Sequence, residues 1–332
     1  MDGSDPDQGA SLGDLGEAGV LARVLPLLPP GAGTLLGPGD DAAVVAAPDG
    51  RVVVSTDVLA EGPDFRRDWS SGADVGWKAA AQNLADVAAM GAEPTALVVG
   101  LAAPPDLPVA WAQELARGLA EACAGTRAAV VGGDLSSAAQ VVVAVTVLGD
   151  LGGRDPVRRD GARPGDVVAL AGTAGRSAAG LALLAEARPG DAPELVALHR
   201  RPRPPLECGP RAADAGATAM IDVSDGLLLD LGRVAKASGV TVDLDADACD
   251  ALARPLLAAA GGDAGRARRW VLTGGEDHAL AACFPPGTAL PEGFVAIGDV
   301  VPRTAGWPPV LVDGDDPAVG VPGWDHFTPP RP

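Results

Sequence analysis

A single stretch, GDLGGRDPVRRDGARPGD at residues 149–166, most constrains how this chain can fold. It is dense in Gly, Pro and charge, a composition that interrupts both helix and strand. On its N-terminal side, strands at 52–56, 95–101, 128–131 and 141–148 alternate with helices over 15–28, 73–90 and 109–123. On its C-terminal side, strands are expected at 167–171, 219–223, 240–244, 271–272, 279–284 and 294–297, with helices over 177–187 and 227–238. Alternation in both halves predicts an α/β (α+β) chain of two domains, 13–150 and 151–332, behind a loose tail over 1–12.

The core has to be built largely without aromatic rings. Apolar residues make up 47% of the chain but aromatics only 3%, and there is no tyrosine, so Ala, Val and Leu fill the interior. The 25 basic and 44 acidic residues leave a net charge of −19. Such a surface repels phosphate backbones and anionic lipid, which argues against nucleic-acid and membrane partners. The longest apolar stretch, residues 141–148, is far short of the ~20 residues a membrane helix needs. The N-terminus lacks the basic and apolar regions of a signal peptide. Cys123, Cys208, Cys249 and Cys283 form no CxxC pair, which fits a reducing, cytoplasmic setting rather than a disulfide framework.

The usual phosphate-binding motifs are missing. The only lysines, Lys78 and Lys236, follow Trp77 and Ala235, so no GxxxxGK[ST] loop exists. Residues 37–42, GPGDDA, match GxGxx[GA] formally, but a strand follows where a dinucleotide motif requires a helix. The turn from Gly172 to Gly175, between a strand and a helix, could cradle a phosphate or simply be a tight turn.

Aspartates, however, recur where strands end or helices begin. They are Asp41 (or its neighbour Asp40), Asp57, Asp86, Asp134, Asp222 and Asp225. Singly, each has a plain structural explanation: a turn, a strand end, a solvated helix face, a Gly-Gly turn at Asp134, a helix cap at Asp225. Asp86 is harder to dismiss, because it shares a helix face with Asn83 in an otherwise small and apolar run. Six carboxylates gathered together would repel unless cations neutralised them. Hard oxygen donors without His or Cys select Mg²⁺, which commonly bridges to substrate phosphates. The residues therefore point to a Mg–nucleotide site built from aspartates, provided the segments converge.

These segments also carry a resemblance. GDDAAV, STDVLAEG, KAAAQNLADVAAMGAEP, VGGDLSS, IDVSDGLLLDLGRVAKASG and LTGGEDHAL resemble, in order and spacing, the thiamine-monophosphate kinase family, from about Gly37 to Phe327. That family sits in the aminoimidazole ribonucleotide synthetase-like superfamily. The resemblance implies two α/β domains with mixed sheets flanked by helices, a homodimer, and ATP-dependent conversion of thiamine monophosphate to thiamine diphosphate with several Mg²⁺ ions. By the same resemblance, Asp41, Ser55, Thr56, Asp57, Asp86, Asp134, Asp222 and Asp225 are metal ligands. Gly133, Asp134, Arg159 and Ser224 contact ATP, and Glu276 and Trp324 lie in the acceptor site. A Trp face attracts the cationic thiazolium, and a carboxylate accepts hydrogen bonds from an aminopyrimidine.

One position departs from the family. Where its pattern has a substrate-contacting histidine, this chain has Asp64 in EGPDF, residues 61–65. A donor becomes an anionic acceptor, which bears on acceptor affinity and identity but not on the metal site. His199, His278 and His326 read as structural or surface residues. No general base is expected, because the acceptor phosphate is largely ionised near neutral pH, its second pKa being about 6. The competing readings are a non-catalytic thiamine-phosphate or nucleotide-binding paralogue, and another ATP-using superfamily member with a different acceptor.

Overall fold

The computed structural model describes residues 9–38, 42–304 and 306–324. The chain divides into two compact units: Met1–Leu84 with Pro94–Asp150, and Ala85–Glu93 with Leu151–Pro332. The division after Asp150 falls inside the Gly/Pro-rich stretch. The short segment Ala85–Glu93 groups with the second unit although it precedes most of the first unit's sheet.

In the first unit, helix α1 (Leu12–Val24) starts at a capping box in which Ser11 and Asp14 satisfy each other's backbone N–H groups. Just before this helix, Ala10 O accepts from Val109 N at 2.9 Å. Strands β1 (Thr34–Leu36) and β2 (Val44–Val45) form a small ribbon. Then follow β3 (Val53–Ala60), α2 (Gly72–Ala89), β4 (Glu93–Ala103), α3 (Val109–Cys123), β5 (Val130–Ser137) and β6 (Val142–Asp150).

The four long strands make one sheet in the order β3-β6-β4-β5. In β6, Val143, Val145 and Val147 are fully buried, as period-2 alternation requires of a sheet with one covered face. On the other face Val54, Val58 and Val98 are 62%, 53% and 40% exposed.

In the second unit the order is β7 (Val167–Ala171), α4 (Arg176–Ala185), α5 (Pro193–Arg200), α6 (Cys208–Asp214), β8 (Ala219–Val223), α7 (Leu227–Ser238), β9 (Val240–Leu244), α8 (Ala246–Ala253), α9 (Ala264–Thr273), β10 (Ala279–Phe284), β11 (Phe294–Pro302) and β12 (Val310–Val312). Six strands form a mixed sheet, β12-β9-β11-β7-β10-β8, in which β12 and β9 pair parallel and the other neighbours antiparallel. Its core is alanine-rich, centred on Ala169, Ala171, Met220, Leu280 and Phe284. Phe284 and Phe294 meet edge-to-face at 5.3 Å. Both sheets carry helices, so the mixed α/β architecture expected from the sequence is the one observed.

Two local expectations fail. Residues 271–272 are the end of α9, not a strand. Asp263 caps that helix by accepting from Arg266 N, and the helix's amphipathic pattern outweighs the strand preference of Val271. Gly132-Gly133 is not a turn but the middle of β5. A Cβ at Gly133 would stand 2.1 Å from Val99 O, so only glycine lets β5 run this close to β4.

Candidate active site around the Ser224–Asp225 turn

The site is best built outward from the link between β8 and α7. Strand β8 is fully buried and forms one edge of the six-stranded sheet. Its penultimate residue, Asp222, is 4% exposed, and its Oδ2 lies 3.4 Å from His278 Nδ1. Burial pulls the His278 pKa down. The Asp222 hydrogen bond, with the charges of Asp222, Glu276 and Asp86, outweighs that and holds it above the ordinary value. Asp86, Asp222 and His278 thus interact within the second unit.

Ser224 and Asp225 turn the chain into α7, and Gly226 adopts φ 128°. The turn is held by Asp230, one helical turn on. Asp230 Oδ2 accepts from Asp225 N at 2.9 Å and Gly226 N at 3.1 Å. Arg233 bridges the two carboxylates, with Nη2 at 2.7 Å from Asp225 Oδ2 and Nη1 on Asp230 Oδ1. Burial pushes the Asp230 pKa up to about 7 against the pull of the Asp225 amide.

The loop Gly274–His278 packs against the same turn. Glu276 N donates to Ser224 O at 2.8 Å and His278 N to Val223 O at 3.0 Å. A Cβ on Gly275 would stand 2.4 Å from Ser224 O, so the approach demands glycine. Glu276 and His278 take left-handed φ values of 64° and 53°. Strained non-glycine residues of this kind persist where surrounding contacts over-determine them, often at functional sites. Glu276 Oε2 lies 3.2 Å from His199 Nδ1, and the same nitrogen is 3.0 Å from Ser177 Oγ. Asp277 caps α4, accepting from Thr173 Oγ1, Arg176 N and Ser177 N. Burial raises its pKa to about 6. Trp324 closes the arrangement: its backbone N–H donates to Asp225 O at 2.8 Å, and the residue is 46% exposed.

The structure therefore gathers Asp86, Asp222, Ser224, Asp225, Glu276 and Trp324 in the second unit. Arg159 stands apart from them. Its carbonyl accepts from Ser238 Oγ at the C-terminal end of α7, about 18 Å of helix away from Ser224.

In the first unit, Ser55, Thr56 and Asp57 lie on β3 and Gly133 and Asp134 on β5, the two outer strands of the sheet. Asp57 pairs with the buried Val145, while Thr56 pairs with Thr146 and its hydroxyl donates to Val145 O. Asp134 pairs with Gly100 and accepts from Ser136 Oγ. Three strand spacings, about 14 Å, separate the strands bearing Asp57 and Asp134. Among the described residues, no three His, Cys, Asp or Glu side chains surround one point. Asp41, with Asp40, lies outside the described residues, as do Asp325, His326 and Phe327.

Asp64 is tied into its own turn. Its Oδ2 accepts from Ala60 N at 2.8 Å and its N–H donates to Ala60 O, while the adjacent Phe65 ring stacks on Trp111. The residues that sequence reasoning missed are Asp230, Arg233 and the buried pairing partners His199 and His278. Asp230 had a legible signal, a lone charge inside the apolar run LLLDL.

The donors fit a hard divalent cation. They are carboxylate oxygens, and Asn83 Oδ1, on the helix carrying Asp86, is buried without a hydrogen-bond partner. The thiols do not compete as ligands: burial pushes Cys123 and Cys283 up to about 12 and Cys249 to about 11.

Residues 39–151 match the family described as AIR synthase related protein, N-terminal domain, and residues 163–280 match its C-terminal domain. A thiamine-monophosphate kinase of Mycobacterium tuberculosis is 50% identical over 320 residues, covering 96% of this chain and 94% of that protein. Another from Corynebacterium glutamicum is 42% identical, covering 96% of each. The solved structure of AaThiL complexed with AMPPCP and TMP has a TM-score of 0.74 at 31% identity, covering 83% of this chain and 87% of that one.

Proposed function

The chain belongs to the thiamine-monophosphate kinase family, and from that premise we propose how its residues carry the reaction. The protein is an ATP-dependent kinase that phosphorylates thiamine monophosphate to thiamine diphosphate, releasing ADP. Identity of this extent and spread favours that reading over a superfamily member with another acceptor. The intact aspartate set favours it over a non-catalytic binder.

The observation that carries the residue-level reading is the shared anchoring of Glu276 and Trp324 on the carbonyls of Ser224 and Asp225. Two side chains suited to the acceptor hang from the dipeptide suited to nucleotide and metal. In this reading Asp41, Ser55, Thr56, Asp57, Asp86, Asp134, Asp222 and Asp225 would hold several Mg²⁺ ions. Those ions supply charge neutralisation for two anions that otherwise repel. Gly133, Asp134, Ser224 and Arg159 contact the nucleotide.

Glu276 accepts from the aminopyrimidine, and the Trp324 face receives the thiazolium. Asp64 caps its own turn, with its carboxylate accepting from Ala60 N. Transfer is direct and in-line. The acceptor oxygen is already largely ionised, so no side chain has to remove a proton, and catalysis is positioning plus electrostatics.

The homodimer reading is supported by the open face of the β3-β6-β4-β5 sheet, where Val54, Val58 and Val98 present apolar surface that a second copy would cover. That face also bears Asp134 by register. Among the described residues no helix is long and apolar enough to cross a membrane. Four buried free thiols fit a cytoplasmic setting.

The test is mass spectrometry of the purified protein incubated with ATP, Mg²⁺ and thiamine monophosphate, with and without EDTA. Thiamine diphosphate that forms only without EDTA is expected. ATP binding with no such product would overturn the kinase reading.

A further inference from the structure

The mechanism above leaves Asp230 unused, although it is a carboxylate with no exposed surface in the middle of the site's scaffold. Its bonds have a particular logic. The N–H of Asp225 and the C=O of Ser224 belong to one peptide group. The N–H of Gly226 and the C=O of Asp225 belong to the next. A trans peptide is a rigid plane with its N–H and C=O pointing opposite ways.

Asp230 Oδ2 holds the N–H side of both planes, at 2.9 and 3.1 Å. The C=O sides of the same two planes hold Glu276 N and Trp324 N, each at 2.8 Å. Turning either plane away from Asp230 must swing an acceptor-site residue. The remaining oxygen of Asp230 engages Arg233, whose other arm grips the Asp225 carboxylate.

We infer that Asp230 is a positioning residue that couples the two halves of the site. It orients Glu276 and Trp324 through two peptide planes, and it sets the Asp225 carboxylate through Arg233. This rests on the reading of Asp225 as a metal ligand and of Glu276 and Trp324 as acceptor contacts. Its consequence is synergy: ordering the turn from the acceptor side pre-orders Asp225, and the reverse. Without Asp230, both subsites loosen together although Asp230 touches no substrate.

Asp230→Asn is the informative variant. One amide oxygen can still accept from the turn, but the amide N–H₂ then opposes Arg233, which is left to Asp225 alone. The Mg²⁺ concentration for half-maximal turnover should rise about tenfold, as for loss of other outer-shell partners of metal ligands. The KM for thiamine monophosphate should rise with it, severalfold or more, while circular dichroism stays unchanged.

A second measurement needs no turnover, and its first arm needs no variant. In wild-type protein with EDTA, thiamine monophosphate alone should slow amide hydrogen exchange in the segment 223–231. In Asp230→Asn that response should be lost. Unchanged Mg²⁺ dependence and KM in the variant, or no exchange response in wild type that demonstrably binds the acceptor, overturns the inference. If the wild type neither binds thiamine monophosphate nor forms product, it is the functional reading that fails.

Discussion

Asp225 and Trp324, far apart in sequence, are joined by a 2.8 Å hydrogen bond from the Trp324 N–H to the Asp225 carbonyl. A residue with a carboxylate suited to metal thus fixes the backbone of a residue with a ring suited to a cationic ligand. The same device repeats one residue earlier, where Ser224 O holds Glu276 N. In the proposed assignment, donor-side and acceptor-side chemistry share one turn, and substitutions there should report on both.

Asp222→Asn tests the carboxylate side. Asp222 is buried near the end of β8, with its Oδ2 3.4 Å from His278 Nδ1. The amide oxygen can still face His278, so the fold should survive, with an unchanged circular dichroism spectrum. Loss of the negative charge should lower kcat/KM on the order of 10²–10³-fold, the scale of losing one electrostatic stabiliser. Near-normal turnover at limiting Mg²⁺ would remove Asp222 from the metal site.

Asp64 separates two roles that the sequence left entangled. The structure uses its carboxylate to cap the Ala60–Asp64 turn. Asp64→Asn keeps an acceptor for Ala60 N and should leave the KM for thiamine monophosphate within about twofold. Asp64→Ala removes that bond and should lower stability by about 1 kcal/mol, read by denaturant titration. A tenfold change in acceptor KM in the Asn variant would instead make Asp64 a direct substrate contact.

The elements that the residue pattern makes legible are those whose cause is local. Strands 167–171, 219–223, 240–244 and 279–284 and helix 227–238 coincide with β7, β8, β9, β10 and α7. Short helices such as α6 and α8 escape detection because Cys208–Asp214 and Ala246–Ala253, of 7 and 8 residues, are too short for a periodic pattern to be told from a turn or strand. Strand order is not legible either, since β8 reaches the sheet edge only through pairing with the distant β10. The aspartates at strand ends and helix starts could be found by inspection. Their peptide-plane connections could not, because Ser224 with Glu276 and Asp225 with Trp324 are contacts made only by the folded chain.

Acid should reveal Asp277. Burial raises its pKa from 3.8 to about 6, even though it caps α4. Between those values the folded protein keeps a proton that the unfolded chain has released. Raising the pH through that window therefore lowers stability, by up to about 3 kcal/mol for a shift of this size. Asp277→Asn cannot titrate and retains an oxygen for Thr173 Oγ1. The stability difference between variant and wild type should thus move in the variant's favour as pH rises from 4 to 6 and be flat above 7. Thermal melts across that range check it, and parallel profiles would show that Asp277 is ionised throughout.

The last expectation concerns the open sheet face. Val58 is 53% exposed on β3, beside Val54 at 62%. Between these valines in sequence, Thr56 bonds Thr146 across the strands, so polar groups on this face are satisfied and apolar ones are not. Burying such a valine is worth about 1.5–3 kcal/mol, and one charge in its place imposes a desolvation cost at any interface that forms there. Because a C₂ interface uses the same patch twice, Val58→Asp would place two like charges in it. Sedimentation should find wild type at about twice the 32.9 kDa chain mass and the variant at one chain mass. The isolated variant should keep its secondary structure, since Val58 is already 53% exposed in the single chain. A monomeric wild type at micromolar concentration, or a variant that still pairs, would move the interface away from this face.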